Sequence, residues 1–193
     1  MNLRLMILIG GVLTATVIGI SQSSDTKGPV FTKSGDLVLP SDFRKWTFVG
    51  GPITPNALNN GEAPFPEFHD VYIRLENLRY YQQHGNFPEG TVLVKELVLS
   101  QAGQHSDGSL DSASGRGYFP GALQGLDVMV KDSKRFANTN KWGFFTFGHH
   151  APPYSPTTKA MPAAECASCH IAGVAKTDMV WVQYYPLLKA QLQ

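Results

Sequence analysis

Thr91-Val92-Leu93-Val94-Lys95-Glu96-Leu97-Val98-Leu99 decides the architecture. Its side chains alternate between two faces with the two-residue period of a β-strand. Val92, Val94 and Val98 share one face with Glu96, and Leu93, Leu97 and Leu99 share the other with Lys95. Both faces are apolar, which predicts a central strand covered on both sides. Phe87-Pro88-Glu89-Gly90 leads into it, with Pro second and Gly fourth as a type I turn prefers. Lys95 and Glu96 then fall mid-strand, where an unpaired charge is costly. Two accounts of Lys95 are open. In one, the stem is buried and the ammonium snorkels or pairs. In the other, a lysine of depressed pKa offers a neutral amine for chemistry. The pattern taken alone favours the first.

Working outward, residues 48–50, 71–74 and 126–131 read as further short strands, and residues 142–147 as an aromatic one. A short helix is expected from Ser41, as N-cap, toward Trp46. Leu75–His84 carries Leu75, Leu78 and Tyr81 on one helical face, with Gly85 as its C-terminal stop. Residues 101–117 form a long loop rich in Gly and Ser, and residues 178–185 read as helical until Pro186 interrupts them. The fold class is therefore α+β, β-rich, with short helices.

Both cysteines of the chain lie in Cys166-Ala167-Ser168-Cys169-His170, the attachment pattern of a c-type haem. Two thiols three positions apart can each add to one porphyrin vinyl group, which carries the next histidine under the iron as axial ligand. One covalent haem c per chain is expected, held by Cys166 and Cys169, with His170 on the iron. A thioredoxin-like pair would want a βαβ context and no following His. A structural zinc would want four ligands. A disulfide across so short a loop would stabilise little.

The N-terminus suits export. Arg4 is the only charge before Asp25, residues 5–20 are apolar, and Ser21, Gln22, Ser23 and Ser24 follow. This reads as a signal peptide over residues 1–23, cut near 21–24, with a domain over 24–193 outside the cytoplasmic membrane, in the periplasm. The alternative is a retained N-terminal anchor. The whole chain has 16 basic and 15 acidic residues, a balance that gives no grip on nucleic acid or an anionic membrane.

Nearly all of the chain precedes the haem motif, unlike the order in small electron carriers. Only Met179 follows His170, nine residues on, a tight reach to the opposite face of a porphyrin. With Met129 and Met161 as the alternatives, an open sixth position that binds small molecules is the favoured reading. Phe144, Phe145 and Phe147 are candidates to wall a dry pocket there, although aromatic residues in a strand are more often ordinary core.

Several stretches together resemble the cytochrome P-460 family over residues 35–188: Leu37-Val38-Leu39-Pro40, Arg44-Lys45-Trp46, the run from Phe87 to Glu96, Val130-Lys131-Asp132-Ser133, the run from Trp142 to His149, the haem motif and Gln183-Tyr184-Tyr185-Pro186. The resemblance implies a small antiparallel sheet with flanking helices, usually in a homodimer, and a five-coordinate haem whose proximal ligand falls on His170. It also implies a third covalent bond, from a lysine nitrogen to the porphyrin edge, which falls on Lys95 and reverses the preference stated above. Cross-linked members are similar to hydroxylamine oxidases that release nitric oxide or lead to nitrous oxide, with a soluble protein taking the electrons. A related branch, cytochrome c-prime-beta, lacks the cross-link and binds nitric oxide in an apolar, Phe-lined pocket.

Oxidising members carry a distal carboxylate between the aromatic strand and the haem motif, whereas residues 141–164 here contain no Asp or Glu. His149 and His150 are the side chains there suited to move protons near neutral pH. The competing reading makes both of them surface-loop residues before Pro152-Pro153. Asp127, Glu96 and Glu165 are acids that folding can bring to the iron. Three functions follow in order: hydroxylamine oxidation, nitric oxide capture without turnover, and electron transfer, which needs a sixth protein ligand.

Overall fold

The structure is a computed structural model that describes residues 28–189; the segment read as an export signal lies outside the described residues. In chain order the strands are β1 (Leu37–Val38), β2 (Thr47–Gly50), β3 (Phe68–Ile73), β4 (Val92–Ser100), β5 (Pro120–Lys131), β6 (Trp142–Thr146) and β7 (Thr157–Thr158). The helices are α1 (Leu75–His84), α2 (Cys166–Val174) and α3 (Pro186–Lys189). Among the described residues, one antiparallel sheet runs β2-β3-β4-β5-β6, and β1 pairs separately with β7. The fold is α+β, a small antiparallel sheet flanked by short helices. No helix among the described residues is long and apolar enough to cross a membrane.

The strand expected to be central is central: β4 lies third of five, and its alternation feeds two separate cores. On one side Leu93 joins Val71, Ile73 and Phe144 beneath Leu78, Tyr81, Phe87, Met179 and Leu188. On the other, Val92 and Val94 join Val128, Val130 and Phe145 beneath Leu37 and Phe43. Burying each such side chain is worth about 1.5–3 kcal/mol relative to leaving it exposed.

Glu96 is 3% exposed on the second side. Arg44 donates to both of its carboxylate oxygens, Nε to Oε2 at 3.3 Å and Nη2 to Oε1. Asp70 stands directly across from Glu96 in the β3–β4 register. Burial, with the charge of Glu96, pushes the Asp70 carboxyl above its ordinary pKa.

Four local readings are corrected. The helix expected toward Trp46 is a single 3-10 turn, Phe43–Lys45, with Asp42 rather than Ser41 at its N-cap position. The Asp42 carboxylate instead accepts from Trp46 Nε1 at 3.2 Å. Strand β5 begins at Pro120, six residues before the visible alternation, because Gly121 and Gly125 hide the period. Helix α1 ends as expected, with Gly85 at φ 71° and its N–H on the Tyr81 carbonyl at 2.8 Å. Its inward stripe is Asn77, Leu78 and Tyr81, which leaves Leu75 at the entrance exposed. Residues 178–185 are not a helix: Asp178 and Met179 sit at φ 52° and 68°, and only Val182–Tyr184 makes a 3-10 turn. Pro186 opens α3, where its missing N–H costs nothing, rather than breaking a helix.

Arg44→Ala leaves the Glu96 carboxylate buried and facing Asp70, and is expected to lower stability by about 1–3 kcal/mol. Glu96→Gln removes the like-charge contact along with the ion pair and costs less. Urea unfolding of the two variants beside the parent checks this order.

Candidate functional site

Helix α2 opens at Cys166, so the two thiols stand at i and i+3 on neighbouring turns, and His170 follows Cys166 by four residues on the same face. Ala167 and Val174 bury the other face, and the Ser168 hydroxyl donates back to the Ala164 carbonyl at 2.9 Å. Both cysteines are free thiols, Cys166 half-buried and Cys169 exposed.

The His170 ring lies between two aromatic rings, 4.6 Å from Phe144 and 4.3 Å from Trp181 between centroids. Its Nδ1 is 2.7 Å from the Met179 carbonyl. A carbonyl only accepts, so Nδ1 carries the proton and Nε2 carries the lone pair. Burial lowers the pKa of His170, and the Lys95 charge adds to this, so the imidazole is neutral, as a metal ligand must be.

The sheet beneath this helix is ordered in rows. Ile73, Leu93, Met129 and Phe144 make an apolar row under His170. The next row is Val71, Lys95, Asp127 and Thr146. The third is His69, Leu97 and Gly125. A Cβ on Gly125 would lie 3.1 Å from the Gly148 carbonyl and 3.2 Å from the His149 ring, a tight fit, so a glycine here eases the passage of His149 over this row.

Lys95 Nζ is 3.0 Å from Asp127 Oδ2 and 4.1 Å from the centre of the Phe65 ring. The other Asp127 oxygen, Oδ1, is 2.9 Å from His149 Nε2. Burial alone would raise the Asp127 pKa, but the His149 hydrogen bond and the Lys95 charge outweigh it and hold the carboxyl at about 2. The hydrogen bond to Asp127 raises the pKa of His149 in turn. Phe65 takes His69 and His149 edge-on at 5.9 Å and 6.0 Å. Glu67 adds a carboxylate whose Oε2 is buried without a partner and whose charge acts on His149. The charges of both Lys95 and Asp127 act on the Cys166 thiol, whose pKa burial raises.

The residues singled out in the sequence are thus largely gathered. Lys95, Cys166 and His170 share one side of the sheet, and His149 joins them through Asp127. Lys95 is paired, as the first account of it required, and it lies on the same side of the sheet as the haem motif. His150 turns away, its Nδ1 on the Ala151 carbonyl at 2.7 Å. Of the three phenylalanines, only Phe144 faces His170; Phe145 and Phe147 belong to the opposite core, as strict alternation demands. Glu96 is also on the opposite face, and Glu165 is exposed ahead of α2. Met179 is unsuited to the far side of an iron held by His170, because its carbonyl holds the back of that ring and its sulfur accepts from Asn140 Nδ2 at 3.5 Å. Phe65 and Glu67 carry no local signal, since residues 64–67 precede β3 in irregular backbone with no period to mark them, and His69 lies in the first half of β3, ahead of the residues 71–74 that read as a strand. Asp178 also went unnoticed, although an acid beside the lone Met after the haem motif was a usable signal.

These residues fit a covalently attached haem. The thiols are free and helically spaced, one imidazole nitrogen is open and electron-rich, and aromatic rings bracket the ligand. No curated protein matches the chain. The family model for cytochrome P460 matches residues 40–182, from the residues before the Phe43–Lys45 turn through the haem motif to the Val182–Tyr184 turn, and the chain belongs to that family.

Proposed function

We propose that this protein oxidises hydroxylamine outside the cytoplasm, at a haem held by Cys166, Cys169, His170 and a bond from Lys95. The observation that carries the reading is the chain Lys95–Asp127–His149 on the sheet face that His170 packs against. The haem supplies an iron that binds the nitrogen substrate and takes up its electrons. Oxidation to nitric oxide releases three protons and three electrons per hydroxylamine. Coupling of two molecules to nitrous oxide and water releases four of each. The electrons pass to a soluble acceptor protein and the protons pass to this chain.

His149 is built for the protons. Asp127 is a carboxylate at any ordinary pH, so it accepts from Nε2–H of His149, and the lone pair lies on Nδ1. That nitrogen takes the proton, and the half-exposed ring returns it to water. Asp127 steadies the imidazolium, and Glu67 adds a second negative charge. Asp127 and Glu67 thereby supply, from β5 and from the segment before β3, the carboxylates missing between β6 and the haem motif. Joining the neutral Lys95 amine to a ring carbon replaces C–H by C–N and releases two protons and two electrons, so maturation requires a two-electron oxidant of the peroxide class. The second reading, nitric oxide capture without turnover, is favoured by the engagement of the Lys95 nitrogen by Asp127 and Phe65.

Intact mass and the ferrous absorption spectrum of native protein and of Lys95→Ala separate these readings. If the cross-link forms, the substitution shifts the spectrum and leaves two haem attachments; an unchanged spectrum and connectivity remove Lys95 from the site. Consumption of hydroxylamine by the fully loaded ferric protein, with an artificial acceptor, tests the reaction itself.

His149 must be neutral to accept a proton, and its pKa is raised above 6.5. The rate constant kcat/KM therefore rises with pH through that raised value and then levels. Asp127→Asn removes the partner that raises it and moves the inflection to lower pH. His149→Gln lowers the plateau by about 100-fold, the usual scale of acid–base catalysis. A pH series on the three proteins checks both statements.

A further inference from the structure

Asp178 and Met179 follow the haem helix in left-handed backbone, at φ 52° and 68°. Neither is a glycine, and such residues cost about 1–3 kcal/mol each unless the surroundings hold them there. What holds them is the Asp178 side chain. Its Oδ2 accepts from the Phe87 N–H at 2.8 Å and from Lys131 Nζ at 2.5 Å, and its Oδ1 accepts from Trp142 Nε1 at 3.0 Å. The donors come from three places: the turn before β4, the end of β5 and the start of β6. Trp142 is fully buried and Lys131 is 7% exposed, its Nζ donating besides only to the Phe87 carbonyl at 2.7 Å, so neither donor has water to fall back on.

The turn is closed on its other side as well. The Met179 N–H reaches the Val174 carbonyl at 2.9 Å, and the Thr177 hydroxyl donates to the Val180 carbonyl at 2.7 Å. The product of this strained turn is the direction of one group, the Met179 carbonyl, which lies 2.7 Å from His170 Nδ1. A regular helix through residues 178–185 would commit that carbonyl to its own i+4 amide and turn it away from the ring.

We propose that Asp178 is the positioning residue for the haem's proximal ligand: by anchoring the left-handed turn to the turn before β4, the end of β5 and the start of β6, it aims the Met179 carbonyl at His170 and makes the imidazole electron-rich. The proposal rests on His170 being the iron ligand. A hydrogen bond accepted from the outer nitrogen of a ligating histidine fixes its tautomer and raises its donor strength. Asp178 touches neither iron nor substrate and acts entirely through the Met179 carbonyl. Lys131 is the counter-charge to this partly buried carboxylate.

The test uses full-length haem-loaded protein with four variants: Asp178→Ala, Asp178→Asn, Lys131→Met and Trp142→Phe. The readouts are the iron–histidine stretching band of the ferrous protein in resonance Raman spectra, the midpoint potential, and the melting temperature. Asp178→Ala is expected to move the band to lower frequency and the potential to more positive values. Asp178→Asn keeps an acceptor for Trp142 or Phe87 and shifts both in the same direction by less. Lys131→Met and Trp142→Phe, which leave two of the three anchors, lower the melting temperature while the band stays within a small fraction of the Asp178→Ala shift. If Asp178→Ala does not accumulate, Asp178→Asn decides alone, by moving the band or leaving it in place. A haem-loaded Asp178 variant that melts earlier but keeps the parent band and potential overturns the proposal and leaves the haem reading standing. Parent protein that binds haem but has no iron–histidine band overturns both.

Discussion

A strand buried on both faces has to pair every charge it carries, and β4 carries two in succession. Lys95 and Glu96 point in opposite directions because the pleat makes them. The sheet answers each separately. Arg44 comes over one face to Glu96, and Asp127 stands beside Lys95 on the other. Desolvation makes both pairings obligatory rather than optional. The two solutions differ in kind. The Glu96 side ends at Arg44, a half-exposed guanidinium that cannot give up its proton. The Lys95 side continues from Asp127 to His149, which is half exposed, so the same requirement that stabilises the sheet also leaves a charged path from its interior to water.

That difference divides the molecule into a structural side and a chemical side. On the chemical side the rows of the sheet are graded: apolar under His170, charged one row along, and histidine-rich beyond. A haem held by His170 and the two thiols would meet the apolar row first. Low polarity there favours a neutral imidazole. High polarity one row away favours proton movement. The residues that would hold a haem stand on the helix, while the charged and titratable groups stand on the sheet side. The turn at Asp178 and Met179 is the joint between them, for it belongs to the helical segment by sequence and to the sheet by its hydrogen bonds.

Local signals were legible wherever one residue's neighbours in sequence were also its neighbours in space. The alternation of residues 92–98 implied a central strand with two covered faces. Gly85 after Leu75–His84 marked a helix and its left-handed stop. The same locality explains the errors. Alternation in β6 divided Phe144 from Phe145 and Phe147, yet aromatic content alone suggested a common pocket wall. The apolar run after Asp178 resembled a helix because propensity takes no account of three buried donors waiting on the sheet for that carboxylate. Pro186 looked like a stop and is a start, a distinction that depends on which chain segment lies alongside.

The sequence by itself determined the haem anchor, since Cys166, Cys169 and His170 act together at fixed covalent spacing within one turn and a bit of helix. It also determined that Lys95 sits inside the sheet, because a two-residue period leaves it no other place. Tertiary structure alone decided what those residues face. Asp127 is adjacent to Lys95 only through the β4–β5 register, His149 reaches Asp127 across the small residue Gly125, and the Met179 carbonyl meets His170 only because Asp178 is held in place by distant donors. Proximity between residues far apart in the chain is set by register, packing and the pairing of buried charge, and none of these is a property of any local stretch of sequence.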